Sequence, residues 1–110
     1  MNNDEILNGL ISKLDNDFQI SGKNLPAGND FENSLNEIKK YLIEKIIAQM
    51  EKNFERFLNT LYRIDLDENK LNDILANQAV SEIPGLIADM IIERQVQRVR
   101  TQLLYKQGKL

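Results

Sequence analysis

The stretch from residue 31 to residue 64 contains neither Gly nor Pro, the two residues that most often interrupt a helix. Its apolar residues recur at spacings of three and four, which indicates a single helical face. Between Leu42 and Leu61 that face is about 160° wide, so it can contact two neighbouring helices. The pattern predicts a long central helix with the apolar residues Phe31, Leu35, Ile38, Leu42, Ile43, Ile46, Ile47, Met50, Phe54, Phe57, Leu58, Leu61 and Ile64.

An unbroken helix over 31–64 would be about 50 Å long at a rise of about 1.5 Å per residue. A compact chain of this length has a radius of gyration of about 13 Å, so the helix would project from the rest of the molecule. The sequence leaves two ways to avoid this. Either the helix breaks near its middle, or a second copy of the chain covers the projecting part.

Three other segments show helical periodicity, over 3–18, about 66–77 and about 82–106. Residues 19–30 hold two Gly, one Pro and two Asn, which predicts a loop, and residues 107–110 are expected to fray. The prediction for residues 1–110 is one all-α domain. It is a small antiparallel helical bundle of about four helices with one long central helix.

Short polar side chains mark where these helices begin, because they accept hydrogen bonds from the free N–H groups of a first turn. Asn3 or Asp4 is expected to cap the first helix. Asn29 or Asp30 is expected to cap the second, and Ser81 the last.

The segment "YRIDLDENKLNDIL" at residues 62–75 resembles the start of an EF-hand calcium loop. The residues at its ligand positions are Asp65, Asp67, Asn69 and Asp73. However, Lys70 stands where that loop needs Gly, and Ala76 stands where it needs a bidentate Glu. The simpler interpretation is that Asp65 caps the following helix and Glu68 completes a capping box. We therefore expect no metal site here.

The last helix carries two apolar faces on roughly opposite sides. Ile83, Leu86, Ile87, Met90 and Ile91 form the first. The second has spacings of four, three and four, as in a coiled-coil seam, and consists of Ile92, Val96, Val99 and Leu103. This α5 seam either packs on the chain's own second helix, while residues 83–91 pack on the third, or it packs on a second subunit. Because a small helical chain buries little surface alone, the pattern favours self-association.

Basic residues are concentrated at the same end of the chain. Residues 94–110 contain five basic side chains and no acid, although the whole chain has a net charge of −3. Arg94, Arg98 and Arg100 form a candidate basic face that could contact phosphates. A nucleic-acid-binding domain usually has a broader positive excess, so a solvated or ion-paired face is the more economical interpretation.

The composition argues against most catalytic and cofactor chemistry. The chain has no His and no Cys, which removes the commonest general base, metal ligand and thiol nucleophile. It also lacks a Gly-rich phosphate loop. We expect no catalytic residue, no metal and no cofactor. We also expect no membrane segment, because there is no apolar run of about 18 residues. The start of the chain does not resemble a signal peptide, so we expect a cytoplasmic protein.

These observations predict a non-enzymatic protein–protein interaction or scaffold module that self-associates, most simply as a homodimer. The alternative is a nucleic-acid-binding accessory protein that uses the basic last helix. The sequence does not identify a protein partner.

Overall fold

The computed structural model describes residues 2–20 and 30–108, and all regular secondary structure in those ranges is helical. Five helices follow one another: α1 (Asn3–Phe18), α2 (Phe31–Lys52), α3 (Phe54–Ile64), α4 (Glu68–Asn77) and α5 (Ile83–Lys106). The predicted all-α class is confirmed, with five helices instead of about four. Residues 21–29 of the predicted loop and residues 109 and 110 of the predicted frayed end lie outside the described ranges.

The prediction of one long central helix over 31–64 is wrong, because α2 ends at Lys52 and α3 begins at Phe54. Asn53 between them leaves the helical conformation, with φ −160° and ψ 92°, and its side chain accepts a hydrogen bond from the backbone N–H of Arg56. Asn is among the residues that most favour this capping position. Of the two ways to avoid a projecting helix, the structure shows the break near the middle.

The helix starts agree only in part with the sequence predictions. Asp30 caps α2, with the Asn33 N–H donating to Oδ1 at 2.7 Å, as expected. The cap of α1 is Asn2, which accepts from the Glu5 N–H at 2.8 Å, and not Asn3 or Asp4. Ser81 does not cap α5, which has Glu82 at the capping position and no side-chain cap.

α5 is the central helix, because it contacts each of the other four. Lys39 of α2 pairs with Asp89 of α5, and Ile43, one turn further along α2, lies next to Gly85, one turn earlier in α5. The two helices therefore run antiparallel. The buried cluster shared by the helices includes Leu10, Leu14, Phe18, Leu42, Ile46, Phe57, Leu61, Ile87 and Ile91.

The crossing of α1 and α5 depends on a glycine. A Cβ atom at Gly9 would lie 2.6 Å from Cγ1 of Val99, which is far closer than two carbon atoms can approach without displacement. The absence of a side chain at Gly9 therefore permits close contact between the two helices. This glycine costs about 1 kcal/mol of helix propensity relative to Ala.

Candidate interaction surfaces

The α5 seam is divided between the interior and the surface. Val99 is buried, whereas Ile92, Val96 and Leu103 are only half-buried. Val99 packs against Gly9 of α1, so its side chain is already covered by this chain. Ile92 and Val96 pack against the edge of the core. The three half-buried residues lie within about 40° of one another around the helix axis, on the side of Val99 that faces away from the core.

The two halves of α5 have different neighbours from those expected. Gly85 and Asp89 in the first half lie next to α2, whereas Gln95 and Val99 in the second half contact α1. The predicted third helix over about 66–77 corresponds to α4, which also contacts α5. Val99 of the α5 seam packs on α1 and not on the second helix.

The arginines of the predicted basic face do not lie together. Arg94 and Arg98 are about 40° apart around α5, but Arg100 is about 160° from Arg98. Arg94 is engaged with α3, since its Nη2 donates to Oδ2 of Asp65 at 3.2 Å. Arg98 is half-buried, and only Arg100 of the three is exposed.

The acidic segment between α3 and α4 is used for helix ends. Asp67, and not Asp65, caps α4, with the Lys70 N–H donating to its Oδ1 at 3.2 Å. Asp65 ends α3 in the left-handed conformation, with φ 66°, and pairs with Arg94. Within 2–20 and 30–108 there is no group of three His, Cys, Asp or Glu residues placed to hold a metal ion.

A buried polar contact between α1 and α5 was missed by sequence reasoning. Gln95 is only 2% exposed, and its Nε2 donates to Oδ2 of Asp17 at 3.4 Å. Asp17 also lies 4.0 Å from Nη2 of Arg63 on α3. The Gln95 Oε1 has no hydrogen-bond partner among the described residues. The spacing of Ile91, Gln95 and Val99 by four residues each is the signal that places Gln95 on a buried edge.

Apolar side chains are also exposed on α2 and α3. Ile47 is 41% exposed, Phe54 42% and Tyr62 52%. Ile47 and Phe54 belong to the apolar face predicted over 31–64, whereas Tyr62 does not. On α2, Ile38, Leu42 and Ile46 take the buried edge of that face. The break at Asn53 therefore shortens the helix without covering the whole face.

No helix in the described part of the chain combines the length and the apolar character needed to cross a bilayer. Comparisons with protein-family models, with curated proteins and with solved structures find no match for this chain.

Proposed function

We propose that this protein is a non-enzymatic, cytoplasmic interaction module that forms a homodimer through the second half of α5. The observation that carries the proposal is that Ile92, Val96 and Leu103 line up along one edge of α5 yet remain only half-buried. Apolar surface left open in this way gains free energy when a partner removes it from water.

The contact uses three of the four residues of the α5 seam. Val99 packs against Gly9 and acts indirectly, because it fixes the distance between α1 and α5. Tyr105 in the last turn of α5 is 75% exposed, but it lies about 160° from Leu103 around the helix axis, so it is outside this contact. The surface available to a second copy thus extends along α5 from Ile92 to Leu103.

The charge distribution supports a second copy as the occupant. Residues 94–110 carry five basic side chains and no acid, whereas all 17 acidic residues of the chain precede them. When two copies meet, the basic end of one can lie against the acidic body of the other. Such complementarity speeds encounter and makes association sensitive to salt.

The test is the molar mass in solution as a function of concentration, measured by sedimentation and light scattering. The wild-type chain is expected to shift from monomer to dimer. The double variant Val96→Glu with Leu103→Glu is expected to stay monomeric, because it places charges in the contact. The matched control is Gln97→Glu with Gln102→Glu, which adds the same charge at exposed positions of α5 and should still dimerise.

A wild-type chain that remains monomeric at several hundred micromolar would overturn the proposal. Equal loss of dimer in both double variants would overturn the assignment of the contact to this edge, because it would reflect net charge alone. Circular dichroism and thermal unfolding of each variant show whether it is folded.

Nucleic-acid binding through the basic face is the weaker alternative. It would require Arg94, Arg98 and Arg100 to act on one surface, and helix geometry separates Arg100 from the other two. Binding of a mixed DNA and RNA pool at low and moderate salt tests it. Retention of that binding when all three arginines are replaced by Gln would exclude this helix as the contact.

A further inference from the structure

A cleft of about 570 Å³ lies between the last turn of α1 and the junction of α2 with α3. Its lining includes Lys45 and Lys52 from α2, and Arg56 and Arg63 from α3. Asp17 of α1 is the only carboxylate among the described residues that line it. The side chains of all four basic residues are exposed, so the cleft is open to solvent.

The charge of this cleft is opposite to that of the rest of the molecule. Among the described residues, four of the chain's 14 basic residues and one of its 17 acidic residues lie in the lining. The described part of the lining therefore carries a net charge of three positive units, in a chain whose overall charge is −3. The basic side chains repel one another, and an anion that enters the cleft offsets this repulsion. The cluster therefore favours anion binding.

The described residues neutralise little of this charge. Asp17 is 4.0 Å from Arg63, and it is shared with Gln95, which donates to its other oxygen. Among the described residues, Lys45, Lys52 and Arg56 take part in no ion pair. The C-terminus of α1 contributes about half a negative charge, which leaves an excess of about 2.5 positive charges.

The four basic residues are spread along α2 and α3. Lys52 is the last residue of α2 and Arg56 lies in the first turn of α3, so these two flank the junction at Asn53. Lys45 and Arg63 each stand seven residues further along, a rise of about 10 Å. A single phosphate can reach the central pair, whereas a chain of linked phosphates can reach additional cations at the same time. Arg56 also offers the planar pair of donors that suits phosphate oxygens.

We propose that this cleft binds a small polyanion with two or more linked phosphate groups. The site is separate from the α5 seam, so its occupancy does not depend on self-association. Lys52 and Arg56 hold the central phosphate, Lys45 and Arg63 extend the contact to either side, and Asp17 limits affinity by repulsion.

Calorimetric titration with orthophosphate, pyrophosphate and tripolyphosphate tests the proposal on the full chain. Saturable binding is expected, with affinity that increases with the number of phosphates and decreases with added salt. NMR of the labelled protein should show amide shifts confined to residues near the α2–α3 junction. Absence of saturable tripolyphosphate binding at low salt would overturn the proposal.

Matched charge variants separate this site from a general charge effect. Lys52→Gln with Arg56→Gln should weaken tripolyphosphate binding about tenfold or more, because two charge-assisted contacts are lost. Lys70→Gln with Arg100→Gln removes the same charge at exposed positions on α4 and α5 and should leave the affinity within about twofold. An equal loss in both double variants would overturn the assignment to the cleft.

Asp17→Asn provides a test that loss of folding cannot imitate. It removes the carboxylate from the lining but retains an oxygen that can accept from Gln95, so tripolyphosphate should bind about two- to tenfold more tightly. Unchanged or weaker binding by a folded Asp17→Asn variant would contradict the proposal. So would a glutamate peptide of equal charge that binds the wild-type chain more tightly than tripolyphosphate does.

Discussion

The two halves of α5 belong to one continuous helix but have different surroundings. In residues 83–91, Ile83, Ile87, Ala88, Met90 and Ile91 are all buried. In residues 92–106, only Gln95 and Val99 are buried, and the remaining apolar side chains are half-buried or exposed. The first half holds the fold together, whereas the second half retains apolar surface. Substitutions at the half-buried positions of the second half should therefore destabilise the fold less than substitutions in the first half.

The largest expected difference between the halves is in stability. Ile87 is 0% exposed, so Ile87→Ala should reduce the free energy of unfolding by about 2–5 kcal/mol through lost contacts and a cavity. Leu103→Ala in the second half should cost less than about 1 kcal/mol. Urea unfolding of the monomer at low protein concentration measures both. Equal costs would mean that the second half belongs to the core as well.

Gly9→Ala tests how tightly the second half is held against α1. The new Cβ would collide with Val99, and overpacking costs about 1–3 kcal/mol. The gain in helix propensity offsets about 1 kcal/mol, so a net loss of about 1 kcal/mol is expected in thermal unfolding. Val99→Ala should relieve the collision in the double variant. A Gly9→Ala variant more stable than wild type would show that the helices are not in close contact.

Gln95→Leu makes the second half more like the first. It removes an oxygen that is buried without a partner among the described residues. Asp17 loses the hydrogen bond from Gln95 but retains its ion pair with Arg63. The free energy of unfolding should rise by about 1 kcal/mol. Gln97→Leu at an exposed position of α5 is the control and should change stability by less than about 0.5 kcal/mol. A loss of stability in Gln95→Leu would mean that the contact with Asp17 outweighs the unpartnered oxygen.

The smallest effect is expected where the two halves meet. Arg94 lies near the start of the second half and pairs with Asp65, whose side chain is 80% exposed, so Asp65→Asn should cost less than about 1 kcal/mol. Asn tolerates the left-handed conformation of this position, so the change reports on the ion pair alone. The difference from wild type should disappear in 1 M salt. A difference that persists at high salt would point to a backbone effect.

Several local features were readable from particular residues. Asp30, which caps α2, was one of two candidates for that position, and a break near the middle of 31–64 was one of two solutions that length alone required. The position of that break was missed, although Asn53 is a strong capping residue. Ser81 and Asp65 were wrong caps for α5 and α4, because neighbouring polar residues compete for each helix start and the path of the chain selects among them.

The interaction surfaces were less predictable, because burial depends on residues distant in sequence. Val99 belongs to the same periodic seam as Ile92, but Gly9 of α1 covers it. Lys45, Lys52, Arg56 and Arg63 resemble a solvated face when α2 and α3 are considered alone. They become one basic cleft only because the last turn of α1 lies beside them.

The sequence by itself determined the helical class and the presence of more apolar surface than a few helices need, because both follow from spacing along a single helix. Only the tertiary structure decided that α5 occupies the centre, which edge of each apolar face is covered, and where the basic residues gather. The physical reason is that apolar burial is non-directional. Residue spacing shows which helix faces are apolar, and the arrangement of all the helices decides which of these faces become buried.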